Sequence, residues 1–324
     1  MSRDIGAAPM NSARDVTPKR WTFHGLNNGV IFGLTVRGVG LLPRRVSYGI
    51  GHVGTWIAWR LMRQTNAAVA ANLAVIFPEK SDAALQRDAL NTYRQYARDT
   101  IDFVKALSAS SEEAQRIFDL GNNRQLFEGV LAEGRGALLV TGHYGNWEIG
   151  GLLMGRVIGL PLTVVAMAES NDEVNRLRHQ TRQRMGVDTL EVRQSLETAL
   201  QIRGLLAQNR FVAMLIDRHM GRDRVAVKLF GREAWFLQTP ALLGYLTGAP
   251  LVACFLERDG PGHFKTRAVG PIRVDRMLPR NDAVRKATQE VADAIEARVR
   301  ANPHSWYHFY RYWEAQHDQY DGLA

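Results

Sequence analysis

The chain has 324 residues, 46% of them hydrophobic and 23% charged, a balance that excludes an intrinsically disordered protein and allows one large domain or two modest ones. Its single cysteine, Cys254, lies in the apolar run PLVACFLE, which excludes an internal disulfide framework and predicts a buried, inert thiol. The net charge of +9, from 41 lysines and arginines against 32 acidic residues, favours an anionic partner: a phospholipid surface, a nucleic acid or an acidic carrier protein.

The N-terminal region is predicted to associate with a membrane without crossing it. Residues 1–20 are polar and lack the apolar core of a signal peptide, so we expect a flexible segment. Within residues 21–65, the apolar stretches 29–42 and 46–62 are interrupted by charge and fall short of the about 20 apolar residues that a span needs. Three tryptophans near basic residues favour helices lying in the headgroup interface: Trp21, Trp56 and Trp59. A pair of buried amphipathic helices that caps the main domain is the alternative.

The remaining residues, 66–324, are predicted to form one domain in which helices and strands alternate. The predicted strands are 136–140, 162–167, 188–192, 211–217, 250–257 and 263–269. The predicted helices are 81–108, 124–134, 147–157, 172–186, 195–208, 239–248 and 281–303, the last one stopped by Pro303. A long loop is predicted over 218–238. This alternation predicts an α/β fold with a mostly parallel, twisted sheet flanked by helices on both faces.

Two polar residues fall where such a sheet places its ligands. His143 lies just past the strand ALLV, and Asp217 lies at the end of FVAMLID. Ligands of open α/β sheets usually bind beyond the carboxyl ends of the strands. Both residues are therefore expected on the functional rim, although Asp217 could equally be a structural cap.

The stretch GHYGNWEIGG, residues 142–151, carries the strongest candidate chemistry. Glu148 is predicted in the first turn of a helix, where the peptide dipoles favour an ionised carboxylate. An imidazole supported by a carboxylate is a good general base, so His143 with Glu148 could deprotonate an alcohol. Gly142 and Gly145 would let the backbone turn tightly and leave room for a substrate beside the ring. A purely structural role, in which these residues end a strand and begin a helix, explains the same pattern and stays open at this point.

Two other catalytic classes lack their motifs. A zinc site would need a third ligand, for which His179 and His219 are available, but the chain has neither HExxH nor a cysteine pair. A serine esterase would need the G-x-S-x-G elbow, which is absent. We therefore predict no metal.

GHYGNWEIGG closely resembles the H-x4-[DE] motif of the glycerolipid acyltransferase superfamily, and more narrowly its bacterial lipid A biosynthesis acyltransferase branch, which includes phosphatidylinositol mannoside acyltransferases. Further blocks resemble that branch in order and spacing: NLAVIFPEKSDA (72–83), NRLRHQTRQRMG (175–186), residues 217–252 and NPHSWYHFYRYWE (302–314). The resemblance covers roughly residues 25–315.

This resemblance implies a glycerolipid acyltransferase-like fold, with 66–324 as the acyltransferase domain. His143 would take the proton of an acceptor hydroxyl, and Glu148 would orient it, with no covalent enzyme intermediate. The acyl donor would be a thioester of acyl carrier protein or coenzyme A, and no cofactor is implied. The acceptor would be a membrane glycolipid such as a lipid A precursor. A phosphatidylinositol mannoside or a lysophospholipid stays open.

The resemblance also implies four substrate-binding residues. Arg182 would hold an anionic group or stabilise the oxyanion, although Arg178 and Arg184 are close enough for the assignment to shift. Asp217 and Arg218 would shape the acyl or headgroup site. Arg311, in the closing aromatic motif, would contact phosphate because guanidinium groups match its oxygens.

Activity is expected at the cytoplasmic face of a bacterial inner membrane, where the positive surface would meet an anionic bilayer and an anionic donor. A non-catalytic lipid-binding protein with the same fold is the rival interpretation. Nucleic-acid binding is not favoured, because no recognisable module accompanies the arginines.

Overall fold

A computed structural model describes residues 38–107, 109–167, 182–183, 186–192 and 195–318 of the chain. The predicted flexible segment 1–20 and most of the first apolar stretch lie outside the described residues. So does most of the basic helix predicted over 172–186, including Arg178 and Arg184.

The first described helices are α1 (Arg44–Leu61), α2 (Arg63–Ile76) and α3 (Asp82–Leu107). Helices α1 and α2 both pack on α3. The helical conformation is interrupted between α1 and α2 at Met62. In the part of the chain that the structure describes, no helix is long and apolar enough to cross a membrane. Membrane association of residues 21–65 stays a prediction.

One face of α1 carries large apolar side chains that no other described element covers. Val46, Ile50, Val53 and Ile57 recur at helical spacing and are between 47% and 58% exposed, and Trp56 at their edge is 51% exposed. The opposite face packs on α3. We refer to these five residues as the α1 apolar face.

The centre of the molecule is a seven-stranded sheet in the order β1-β9-β8-β2-β5-β3-β4. Its strands are β1 (Phe118–Asp119), β2 (Ala137–Thr141), β3 (Leu162–Met167), β4 (Asp188–Val192), β5 (Phe211–Leu215), β8 (Leu251–Arg258) and β9 (Phe264–Ile272). All neighbouring pairs in this sheet are parallel except β8 with β9. The predicted mostly parallel sheet is confirmed.

Both faces of the sheet are buried. Alternate side chains of β2 enter two separate apolar clusters, Leu138 and Val140 on one face and Ala137 and Leu139 on the other. Strands covered in this way read as continuous apolar runs, which explains the sequence ALLV. The covering helices and the C-terminal helix are α4 (Ser111–Ile117), α5 (Arg124–Ala132), α6 (Trp147–Ile158), α7 (Ser195–Ala207), α8 (Thr239–Thr247), α9 (Arg280–Ala301) and α10 (Tyr312–Asp318).

The loop predicted over 218–238 is wrong for its second half, which forms an antiparallel hairpin of β6 (Val225–Leu229) and β7 (Arg232–Phe236). The two turn residues, Phe230 and Gly231, have φ values of 51° and 75°. Positive φ at both positions is typical of the tight turns that join twisted hairpins. Phenylalanine rarely adopts this conformation, so the sequence lacked the usual turn signal.

Candidate active site

Neighbouring strands bring His143 and Asp217 together. Strands β2 and β5 are parallel and in register, with Thr141 opposite Leu215. Each chain continues for two residues past this pair, so His143 and Asp217 emerge opposite each other at the carboxyl edge of the sheet. Both residues therefore lie at the rim of the sheet, as predicted.

The loop that carries His143 follows a path that only glycine permits. Gly145 has φ of 63°, and a Cβ there would lie 2.2 Å from the carbonyl oxygen of Leu256. At Gly142, a Cβ would lie 2.9 Å from Oδ2 of Asp217. The space beside Gly142 thus admits the Asp217 carboxylate, rather than the substrate that the sequence suggested.

The C-terminal segment holds this loop in place. The amide of Tyr307 donates to the carbonyl of His143 at 2.8 Å, and the amide of Gly145 donates to the carbonyl of Ser305 at 2.8 Å. Between them, Tyr144 forms an isolated antiparallel bridge with Trp306. The aromatic C-terminal segment therefore packs onto the domain, and it fixes the backbone of His143.

Asp217 is fully buried and accepts three hydrogen bonds through its carboxylate. Nδ1 of His143 lies 2.6 Å from Oδ1, and the backbone amide of His143 and Nε2 of His308 lie 2.8 Å and 2.9 Å from Oδ2. Burial acts to raise the pKa of Asp217, but His143 and His308 hold that pKa well below its usual value. The side chain is therefore a buried anion.

This anion prepares His143 to act as a base. A carboxylate can only accept, so Nδ1 carries the proton of the neutral ring and Nε2 keeps its lone pair. No described residue forms a hydrogen bond with Nε2, and 17% of the side chain is exposed. Burial, and then the charge of Arg218, lower the pKa of His143 below 6.5 despite the opposing effect of Asp217. The ring is therefore neutral at neutral pH.

His308 completes the group, and sequence reasoning missed it. Its Nε2 donates to Asp217, and its Nδ1 lies 3.0 Å from the hydroxyl of Tyr310, which can donate to it. Burial lowers the pKa of His308 to about 3, so the ring is neutral and serves as a donor. Its position in an aromatic run, SWYHFYRYW, gave no periodic signal that it faces the site.

His143, Asp217 and His308 are also a set that could hold a metal ion. Each of the three already uses the relevant atom in a hydrogen bond of 2.6 Å or 2.9 Å. Two zinc ligands at about 2.0–2.1 Å in tetrahedral geometry would stand farther apart than 2.6 Å, so this arrangement fits a hydrogen-bonded chain better than a coordination shell.

Glu148 does not hold the position that the sequence assigned to it. It lies in the first turn of α6, as predicted, but the carboxylate on Nδ1 of His143 is that of Asp217. Glu148 instead lies 3.1 Å from Nη2 of Arg182, in a pair that is largely shielded from solvent. The helix carries Glu148 along the rim, whereas the parallel register places Asp217 directly opposite His143.

The two other predicted arginines differ in position. Arg218 is half-buried and close enough to His143 to affect its pKa. Its guanidinium carbon lies 5.0 Å from the centre of the Tyr310 ring. Arg311 is on the surface, where its Nη1 lies 3.0 Å from Glu314. It forms no hydrogen bond or ion pair with His143, Asp217 or Arg182 among the described contacts.

A buried ion network supports the site from behind. The hydroxyl of Tyr307 and Nη2 of Arg258 each lie 2.5 Å from the carboxylate of Asp99. Arg258 also pairs with Asp102, which accepts a hydrogen bond from Tyr48 of α1. The network thus connects α1 and α3 to the segment that clamps His143.

Comparisons with known proteins show the family to which the chain is similar. The family described as bacterial lipid A biosynthesis acyltransferase matches residues 17–315. A phosphatidylinositol mannoside acyltransferase of Mycolicibacterium smegmatis is 25% identical over 286 residues, covering 85% of this chain and 87% of that protein. One of the same name from Mycobacterium tuberculosis is 27% identical over 191 residues, which is 58% of each chain.

Proposed function

Because the chain belongs to the bacterial lipid A biosynthesis acyltransferase family and is an acyltransferase, we propose that it moves a fatty acyl chain from a thioester to a hydroxyl of a membrane glycolipid. The observation that carries the proposal is the contact of His143 Nδ1 with the buried Asp217 carboxylate, 2.6 Å away, which leaves Nε2 available as a base. The amino-acid side chains supply this chemistry, and the proposal includes no cofactor.

In the proposed reaction, Nε2 of His143 accepts the proton of the acceptor hydroxyl as the oxygen attacks the thioester carbonyl. The carbon–sulfur bond breaks, the imidazolium returns the proton to the thiolate, and the products are an ester and a free thiol. Asp217 stabilises the transient imidazolium, because an anion held in a buried site interacts strongly with a charge that develops beside it.

Two arginines have roles in this proposal. Arg218 lies close enough to His143 to lower the pKa of that ring, so its charge can also stabilise the oxyanion that forms beside the base. Arg182, held by Glu148, offers an oriented guanidinium for a phosphate of the donor or acceptor. Glu148 therefore positions Arg182 rather than His143.

The names of the similar proteins suggest two acceptors. The family description points to lipid A, whereas the curated relatives are named for phosphatidylinositol mannosides. Both are glycolipids, and the sugar hydroxyl that they share is the group on which the proposed base acts. We include either acyl carrier protein or coenzyme A as the thiol of the donor.

The proposed location is the cytoplasmic surface of a bacterial inner membrane. The α1 apolar face supports this location, since it is exposed, helical and edged by Trp56, over whose ring the guanidinium of Arg60 lies at 4.6 Å. A net charge of +9 adds attraction to an anionic bilayer. The helix would lie in the interface with this face towards the acyl chains.

The experiment is an assay of purified protein with acyl-coenzyme A or acyl carrier protein thioester and a glycolipid acceptor. Free thiol and acylated lipid should form in equal amounts, and His143→Ala should stop both while circular dichroism stays unchanged. Normal turnover by that variant would show that His143 is not the base. Mass spectrometry of lipids from cells with and without the protein then identifies acceptor and acyl chain by the missing acyl group.

A further inference from the structure

A small basic pocket lies between α1 and α3, outside the catalytic group. Tyr48 and His52 contribute to its wall from α1, and Arg94 and Arg98 from α3. The pocket has a volume of about 40 Å³. This is far below the roughly 300–1,000 Å³ of sites that enclose whole drug-sized ligands, so the pocket suits a chemical group rather than a complete molecule.

Close packing of two helices creates the pocket. Gly51 of α1 also lines it, and a Cβ at this position would lie 2.8 Å from Cδ1 of Ile101 on α3. The glycine lets the helix backbones approach, and the longer side chains on either side of this contact are left standing around a depression.

The cations of this pocket are not matched by acids. Arg94 and Arg98 are one helical turn apart, and the described residues contain no ion pair for either; Arg94 contacts the neutral side chain of Asn91 at 3.1 Å. Like charges at this spacing repel each other, so an anion placed between them would be favoured. Asp102, which Tyr48 contacts, is already paired with Arg258 and Arg44.

The pocket lies on the flank of α1, between the α1 apolar face and the face that packs on α3. His52 is exposed and lies about 100° around the helix axis from Val53. Because a helix with its side chains is about 10–12 Å across, a helix lying on a bilayer through Ile50 and Val53 would hold this flank within about 10 Å of the headgroup layer.

We propose that this pocket binds the phosphate of an anionic phospholipid in the bilayer on which α1 lies. The inference rests on the membrane attachment proposed above and adds to it a headgroup site separate from the acyl-transfer chemistry. Guanidinium groups match phosphate oxygens in both geometry and charge.

The test compares vesicle binding of the full chain and of two double variants. Vesicles of phosphatidylcholine alone are compared with vesicles that contain phosphatidylglycerol, at constant salt. R94Q/R98Q should bind phosphatidylglycerol vesicles roughly 30-fold more weakly, the effect expected of two basic residues near an anionic surface. Its binding to phosphatidylcholine, which depends on the apolar face, should stay unchanged.

R276Q/R280Q is the matched control, because it removes the same charge from exposed positions that do not line the pocket. Equal losses for the two variants would reduce the effect to general charge and overturn the pocket. If R94Q/R98Q loses the binding of inorganic phosphate, measured by calorimetry, but keeps wild-type affinity for phosphatidylglycerol vesicles, the site takes free phosphate, and the assignment to lipid fails. Neither variant should lose binding to both vesicle types, and both should keep normal acyl transfer. The result of this test is therefore independent of the proposed reaction.

Discussion

His143 and Asp217 face each other two residues beyond the paired ends of β2 and β5, with 2.6 Å between Nδ1 and Oδ1. The pair is thus specified by the register of two parallel strands, and 74 residues separate its members in the chain.

Asp217→Asn should lower kcat for acyl transfer by about 10²–10⁴, the range that general base catalysis contributes. An amide nitrogen can donate to Nδ1, which would favour the wrong tautomer of His143, and it cannot stabilise an imidazolium. Thiol release under substrate saturation measures kcat, and thermal unfolding checks the fold. A folded variant with kcat near wild type would remove Asp217 from the mechanism.

Glu148→Gln should act mainly on KM, because Glu148 holds Arg182 rather than His143. We expect an increase of about 10-fold in KM, similar to that of Arg182→Gln, since a charge-assisted hydrogen bond contributes roughly 1.5 kcal/mol. The double variant should be little worse than either single one, because both changes remove the same interaction. A fall in kcat as large as that of Asp217→Asn would return Glu148 to its role beside the base.

The pH dependence of kcat/KM should report His143. Burial, and then the charge of Arg218, lower the pKa of His143 below 6.5 against the opposing effect of Asp217 and Glu148. Activity needs the neutral ring, so kcat/KM should fall as pH decreases through this lowered pKa. Arg218→Gln removes a nearby positive charge and should shift this acid limb to higher pH. Arg276→Gln, at an exposed loop position, should leave the limb in place; an unshifted limb in Arg218→Gln contradicts the assignment.

His308 should make the protein less stable in mild acid. Its folded pKa is about 3 because of burial, so between about 6.5 and 3 the unfolded chain binds a proton that the folded protein does not. Stability therefore decreases as pH falls through this window, by up to about 1.4 kcal/mol per pH unit. His308→Gln, which keeps a donor for Asp217, should reduce the slope. Urea unfolding at pH 7 and pH 5 measures the change in the free energy of unfolding with pH for the wild type and the variant. Equal changes in the two proteins would mean that His308 is protonated in the folded protein.

Charge on the α1 apolar face should weaken membrane binding. Val53→Glu with Ile57→Glu should reduce binding to phosphatidylcholine vesicles by at least 10-fold, because burying each apolar side chain contributes about 1.5–3 kcal/mol. Leu246→Glu is the control, since Leu246 is an apolar residue that is 58% exposed on α8, away from this face. Equal binding by wild type and the α1 variant would exclude this face as the contact.

The strands and most helices of the domain could be predicted because apolar runs of four to eight residues are a direct consequence of a sheet buried on both faces. The contact between His143 and Asp217 was within reach, as both residues were predicted at the rim. The sequence did not reveal the order of the strands in the sheet. Only the adjacency of β2 and β5 makes Asp217 the hydrogen-bond partner of His143, rather than Glu148, which is nearer in the sequence. His308 was out of reach, since its place depends on how the C-terminal segment returns to the sheet.

That returning segment has a consequence for the order of events during protein synthesis. Tyr307 clamps His143, His308 donates to Asp217, and the hydroxyl of Tyr312 donates to the Asp217 carbonyl at 2.7 Å. A ribosome makes these residues last among those that form the site, long after it has made α1. A nascent chain that binds lipid through α1, as proposed above, would therefore do so while its site is still incomplete, and the site forms only when the final segment docks.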